Sequence, residues 1–325
     1  MKRIAKFCLL GLVNLGIIFL VVEIGLRINT SISPIYDLEM HKYATKLKRP
    51  GSVPGLVHEH IPNSSATLMG VDFKINSMGF RDDELQLVDG KPDYKILVLG
   101  CSNTVGWGVK YEQVFTSLLE RDLNPEGEDT AFHVINAGVG NYNSTLESIQ
   151  LDQKIEEIMP NKVVLHYYIN DAEIINAEKT NIFVRNSFLI ALLKNRSKYD
   201  KFSSRFEDVG SYYKSLYQLD NPGWLAAQQA ILHMQKVCAD LGVTFQVLIQ
   251  PDLHDLSDGS EQFRCHEIIR SFLASNDILF ADLFISYQYA LGEDKKEFWV
   301  NSDDAHPNAL GHQIIVDCCF EFLRP

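Results

Sequence analysis

The chain has 325 residues, 46% of them apolar and 22% charged, enough to bury one large core or two modest ones. Its net charge of −12 argues against binding nucleic acid, because a phosphate backbone needs a basic surface and lysine and arginine occur here only in short pairs. The six cysteines show no CxxC spacing and no dense framework; they read as buried free thiols, or as one bridge between Cys238 and Cys265 in an exported domain.

Residues 1–28 read as a targeting segment, kept apart from the fold proper. Lys2, Arg3 and Lys6 precede an apolar run from Phe7 to Val22 whose one strongly polar member is Asn14. As a helix this run covers about 24 Å, slightly short of a ~30 Å hydrocarbon core. Ile24, Gly25 and Leu26 extend it, and Glu23 and Arg27 stand i,i+4 near the interface. A cleaved signal peptide competes with this reading, but no small-x-small site follows, so an uncleaved single-pass anchor is expected. Its positive flank keeps the N-terminus cytoplasmic and puts the rest of the chain on the periplasmic or extracellular side.

Residues 29–69 read as a linker and entry segment, polar and broken by Pro34, Pro50, Pro54 and Pro62. Strands and helices then alternate through 70–325. Lys95 to Leu99 predicts a strand, Tyr111 to Leu123 a helix, and Phe132 to Ile135 a strand. Ser144 to Ile158 predicts a helix opened by the capping box Ser144-Thr145-Leu146-Glu147. A strand is expected over Lys162 to Tyr168, a helix over Trp224 to Leu241 and a strand over Thr244 to Ile249. Gln262 to Leu273 predicts a helix, Ile278 to Asp282 a strand, and Asn308 to Phe322 a closing helix. Between the third strand and its helix lies an insertion, 177–222. Its apolar piece, Phe188 to Leu193, reads either as a lid or as a segment packed on the domain surface. Five short apolar strands separated by helices predict an α/β fold, a flavodoxin-like doubly wound parallel sheet flanked by helices.

Open α/β sheets place their sites outside the C-terminal ends of the strands, so the chemistry is sought there. After the first strand, Gly100 permits a sharp turn and Ser102 follows, a candidate nucleophile. After the second comes Asn136-Ala137-Gly138-Val139-Gly140-Asn141, glycines that expose backbone N–H groups or make a plain turn. After the third comes Ile169-Asn170-Asp171, where an amide can donate to an oxyanion or cap a helix. Near the C-terminus stands Asp303-Asp304-Ala305-His306-Pro307-Asn308. An acid three residues before a histidine meets it across a tight turn and fixes its tautomer, as a general base requires. The alternative is a helix entry with Pro307 in the first turn. His58-Glu59-His60, and His254 with Asp255 and Asp258, invite a metal reading but bring no convincing third and fourth ligand. Trp107 and Tyr142 flank the serine and glycine blocks, in a pocket wall or in the core.

Taken in order, these blocks resemble the SGNH/GDSL hydrolases. The match runs through Gly100-Cys101-Ser102-Asn103-Thr104, Asn136-Ala137-Gly138, Asn170-Asp171, and Asp303 with His306. An element Asn76-Ser77-Met78-Gly79-Phe80-Arg81 before the first strand resembles the membrane-anchored bacterial branch. Two positions depart: Cys101 stands where an aspartate usually precedes the serine, and Ile169 near where a glycine commonly stands. The resemblance implies the SGNH hydrolase fold and ester hydrolysis by a Ser102–His306–Asp303 triad. It implies an oxyanion hole of the Ser102 and Gly138 N–H groups and the Asn170 amide, with Asp304 left as a cap or surface residue. It calls for no cofactor and no metal; the partners expected are an ester substrate (lipid, acylated glycan or small molecule) and the membrane. Two other functions stay open: an O-acyltransferase acting on cell-envelope polysaccharide with the same residues, and a catalytically silent binding module.

Overall fold

The computed structural model describes residues 2–177, 181–290 and 296–325. Helix α1 spans Lys2–Ile32 and α2 Tyr36–Lys46. Two antiparallel ribbons follow, β1 (Lys48–Pro50) with β2 (His58–His60), and β3 (Ser65–Leu68) with β4 (Val71–Lys74). Then come β5 (Asp93–Gly100), α3 (Ser102–Val105), α4 (Phe115–Leu123), β6 (Ala131–Asn136), α5 (Ser144–Ile158) and β7 (Lys162–Tyr168). The insertion supplies α6 (Ile182–Asn186), α7 (Phe188–Arg205) and α8 (Val209–Leu216); its residues 178–180 lie outside the described residues. The chain continues with α9 (Pro222–Asp240), β8 (Thr244–Gln250), α10 (Glu261–Ser275), β9 (Leu279–Asp282) and α11 (Phe284–Ala290). It closes with the ribbon β10 (Trp299–Asn301) and β11 (Asp304–Pro307), then α12 (Ala309–Leu323).

The central sheet has the order β6-β5-β7-β8-β9 with every pair parallel. This is the flavodoxin-like doubly wound order, and its direction reverses between β5 and β7, which opens a crevice above their C-terminal ends. Alternate residues of each strand enter opposite layers. Leu97, Leu99, Val163, Leu165, Val247 and Ile249 pack under α5, α9 and α10, while Ile96, Val98, Val164 and Leu248 pack under α4 and α12. Burial on both faces is why these strands read as unbroken apolar runs.

Two local expectations are corrected. The helix expected over 111–123 is split: Tyr111–Gln113 form a 3₁₀ turn, Val114 is extended, and α4 begins at Phe115. Helix α5 is capped by Asn143, whose Oδ1 accepts the Leu146 N–H at 3.0 Å; Ser144 is its first residue. Glu147 is wholly buried and does not reach back to close a capping box. Cys238 and Cys265 are free thiols.

The stretch read as a polar linker, 29–69, holds α2, the β1–β2 ribbon and β3, and its Tyr43, Leu47 and Leu68 form a small core with Phe73, Val105 and Trp107. The Asn76–Arg81 element belongs to this junction. Asn76 Oδ1 accepts the N–H groups of Met78 (3.0 Å) and Phe80 (2.9 Å), and Gly79 takes a φ of +88°. The loop delivers Arg81 to a buried position over the Phe73 ring, where it donates to the carbonyls of Val105 (2.8 Å), Gly106 (2.5 Å) and Val109 (2.7 Å). A planar guanidinium thereby fixes the turn that follows Ser102. Helix α1 is long and apolar enough to cross a membrane, with a mean hydropathy of 2.5 over its most apolar window.

Replacing Arg81 with lysine keeps the charge but loses the fork geometry. Each lost charged hydrogen bond is worth ~1.5–3 kcal/mol, so R81K should destabilise the fold by about that amount or more, read as a lower urea midpoint.

Candidate active site

Strand β5 ends at Gly100 with a φ of +155°, and a Cβ there would lie 2.0 Å from Thr104 Oγ1 and 2.9 Å from the His166 carbonyl oxygen. Only glycine lets the chain turn this tightly into α3, and Ser102 opens that helix at the sheet edge. Its Oγ lies 2.8 Å from His306 Nε2. His306 Nδ1 in turn lies 2.5 Å from Asp304 Oδ1.

The acid expected beside His306 was Asp303; the structure puts Asp304 there. The expected tight turn is not formed. Residues 304–307 are the strand β11, and on a strand side chains two apart share a face. Asp303 is exposed at the rim of the cleft and makes no bond to His306, while Asp304 is buried, not the cap or surface residue expected. Burial alone would raise the Asp304 carboxyl. Hydrogen bonds from the His306 side chain, from its backbone N–H (3.2 Å) and from Trp107 Nε1 (2.9 Å) hold it below its ordinary value, as a carboxylate. Trp107 is thus a core residue with one polar task.

Asn170 lies in a 3₁₀ turn after β7 and lines the same cleft, of about 280 Å³, as Ser102 and His306. Its side-chain oxygen is buried and has no partner among the described residues. Gly138 is not part of this cleft. Its N–H donates to Asn136 Oδ1 at 3.1 Å, and a Cβ there would lie 2.5 Å from the Val105 nitrogen. Gly138 therefore serves close packing of its loop on α3, and its N–H is not free for an oxyanion. Asn141, three residues on, does line the cleft, with a φ of +62°. Among the described residues the N–H groups of Ser102 and Asn141 have no acceptor.

The loop carrying Asn141 is pinned by the entry segment. Gly140 N–H donates to Tyr43 Oη (2.9 Å), and Gly140 O accepts from Lys48 Nζ (2.5 Å) and lies 3.1 Å from His58 Nε2. His60 meets Tyr43 Oη at 2.6 Å and Tyr142 Oη donates to the His58 carbonyl at 2.7 Å. Burial pushes Lys48 down to about 7 and, with the Lys48 charge, pushes His58 and His60 down to about 3. His58 and His60 are thus neutral struts. Asp255 and Asp258 bond to Ser257 and Gln288 instead of joining His254. Among the described residues no group of three or more His, Cys, Asp or Glu is arranged to hold a metal ion.

One pair escaped the sequence reading. Asp252, buried after β8, lies 2.5 Å from His254 Nδ1 and accepts the hydroxyls of Tyr168 (2.9 Å) and Tyr213 (2.6 Å). His254 lines the cleft, and its hydrogen bond to Asp252 raises its pKa. The signal was present: Asp252-x-His254 repeats the spacing of Asp304-x-His306. Cys101 is buried; burial, then the charges of Asp171 and Glu147, push its thiol far up, which leaves it an inert thiol. No residue of 188–193 lines the cleft.

No protein-family model matches the chain, and neither does any curated protein. Solved structures with a similar fold include TesA, with 16% identity, a TM-score of 0.44 and coverage of 71% of this chain and 98% of that one. A lipolytic protein of the G-D-S-L family from Desulfitobacterium hafniense matches with 14% identity and a TM-score of 0.43, over 70% of this chain and 98% of its own. The acetyl xylan esterase AlAXEase matches with 16% identity and a TM-score of 0.44, over 71% of this chain and 100% of its own.

Beneath the cleft, Glu147 is wholly buried and neither carboxyl oxygen has a partner among the described residues; Asp171 is buried beside it. Burial raises both carboxyls, and for Asp171 the nearby Glu147 charge adds to it. A raised acid keeps its proton in the folded state while the unfolded chain releases its own. Stability therefore falls as pH rises from the ordinary carboxylate range toward the raised value, by ~1.4 kcal/mol per pKa unit. Glu147→Gln should be more favourable relative to the parent at about pH 8 than at about pH 5 in urea unfolding. An equal difference at both would refute this.

Proposed function

We propose that the chain is a serine ester hydrolase with Ser102 as nucleophile, His306 as general base and Asp304 as the acid that orients it. The observation that carries this reading is the continuous hydrogen-bonded path from Ser102 Oγ through the His306 ring to the buried Asp304 carboxylate. With Nδ1–H donated to Asp304, Nε2 holds the lone pair that accepts a proton from Ser102. Oγ bonds to the acyl carbon as its proton passes to His306. The tetrahedral centre then collapses, the ester C–O bond breaks, and His306 returns the proton to the leaving alcohol. Water enters next, gives a proton to His306 and attacks the acyl carbon, and Ser102 Oγ leaves with that proton. The donors proposed for the developing oxyanion are the N–H groups of Ser102 and Asn141 and the side-chain amide of Asn170.

One observation favours a second reading, acyl transfer to a sugar hydroxyl in place of water. His254 faces the cleft with its tautomer set by Asp252, and its Nε2 has no partner among the described residues. That nitrogen is suited to hold the hydroxyl of an alcohol partner. The silent binding module is disfavoured by the intact Ser102–His306–Asp304 path. The anchor with a cytoplasmic N-terminus and an external domain is part of the proposal, supported by the apolar α1 and its basic flank.

Fluorophosphonate should label Ser102 in the parent protein. Ser102→Ala should lower turnover of acetyl esters by about 10³-fold or more, and Asn170→Ala by about 10²–10³-fold. Asp304→Asn should cost on the order of 10³–10⁴-fold by mis-setting the tautomer, whereas Asp303→Asn should change turnover by no more than about twofold. Full turnover in Ser102→Ala would overturn the assignment. His254→Gln should keep probe labelling and lower the ratio of transfer to hydrolysis when a sugar acceptor is added.

A further inference from the structure

We propose that α6 and α7 of the insertion lie on the membrane surface, against anionic phospholipid, and so hold the cleft at the interface. This inference is independent of the ester hydrolase reading.

It begins with Glu23, just past the apolar run of α1. A bare carboxylate near the hydrocarbon boundary is costly. Glu23 is only 7% exposed and is fully saturated instead. It accepts from Ser187 Oγ (2.9 Å) and from the N–H groups of Phe188 and Leu189 (both 3.0 Å), and pairs with Arg27 at 2.7 Å. Arg27 also donates to the Asn186 carbonyl at 2.8 Å and stands 4.6 Å over the Phe188 ring. The end of the spanning helix is thus latched to the junction of α6 and α7. Arg27 lies five residues beyond Val22, about 7.5 Å along the helix axis, which is the depth of the headgroup layer.

The latched elements are built for that depth. Ile182 and Phe183 on α6 are 70% and 69% exposed, and Leu193 and Tyr199 on α7 are 63% and 61% exposed. A groove of about 520 Å³ runs along α7, where Leu189, Leu192, Leu193 and Tyr199 flank the Arg196 guanidinium and Asp37 of α2 closes one side. Residues 181–205 carry Arg185, Lys194, Arg196, Lys198, Lys201 and Arg205 against one acid, Asp200, in a chain whose net charge is −12. A basic segment with exposed apolar side chains, joined to a membrane span, fits an anionic lipid surface. The cleft follows closely. Tyr36 and Met40 of α2 line it, and His41 of the same helix lies 3.2 Å from the Arg185 carbonyl of α6, so the cleft wall rests directly on the latched elements.

The test uses the full chain in lipid nanodiscs, with the exposed Cys8 and Cys318 replaced by serine. Nitroxides are attached through Phe183→Cys, Leu193→Cys and, as a water-facing control, Leu219→Cys, whose parent residue is 89% exposed. In discs containing phosphatidylglycerol, positions 183 and 193 should respond to oxygen and lose access to an aqueous nickel chelate, while 219 stays accessible. Nickel access at 183 and 193 equal to that at 219 would overturn the proposal. Hydrogen exchange on the unmodified chain gives a second reading. Amides of 182–193 should exchange more slowly in phosphatidylglycerol discs than in phosphatidylcholine discs, and equal rates would overturn the anionic-surface assignment.

Discussion

The buried Asp304 carboxylate is the point on which the site hangs. It takes hydrogen bonds from the His306 side chain, from the His306 backbone, and from the indole of Trp107, 197 residues earlier in the chain. Trp107 sits on the turn after Ser102, and its own N–H donates to the Ser102 carbonyl at 3.1 Å. One buried charge therefore ties the C-terminal ribbon to the nucleophile turn. A charge in that position is tolerated only while its donors are in place, so Ser102, His306 and Asp304 cannot shift independently. Arg81 works on the same turn from the other side, through three carbonyls between Val105 and Val109.

The second constraint comes from outside the sheet. Both polar groups of the Gly140 peptide are held by the entry segment, its N–H by Tyr43 and its carbonyl by Lys48. That leaves the next residue, Asn141, in a left-handed conformation that few side chains adopt without tertiary support. The entry segment is therefore a wall of the site. Its cost is the burial of an amine and two imidazoles, met by keeping the imidazoles neutral and the amine easily deprotonated.

The central sheet was legible because strands buried on both faces leave unbroken apolar runs, and the polar residues just after them stand out. Ser102 and Asn170 stood out for that reason, whereas His306, on the ribbon strand β11, stood out through the acids that precede it. The choice between Asp303 and Asp304 was not, because it turns on whether the segment is a turn or a strand. Four residues of a short antiparallel ribbon leave no periodic signal of their own. Gly138 misled because a glycine required for close packing looks, in sequence, like one required for ligand approach. The entry segment was missed because its polar anchors are Tyr43, Lys48 and His58, amphipathic residues whose partners lie 82–97 positions away.

Two Asp-x-His pairs face one cleft, and their exposure separates their tasks. The His306 side chain is 17% exposed and bonded to Ser102, whereas the His254 side chain is 50% exposed and open at Nε2; the acids behind them are 2% and 6% exposed. A base that must take a proton from one fixed hydroxyl benefits from being enclosed beside it. A residue that must meet a substrate group arriving from solvent has to remain reachable. Both rings gain a defined tautomer from a carboxylate that water does not reach, so the same local device suits the proton shuttle proposed at His306 and the hydroxyl contact proposed at His254. On the proposed reading, bond breaking and alcohol recognition fall to different imidazoles, and a change in the acceptor would be met at His254 without disturbing Ser102 or His306.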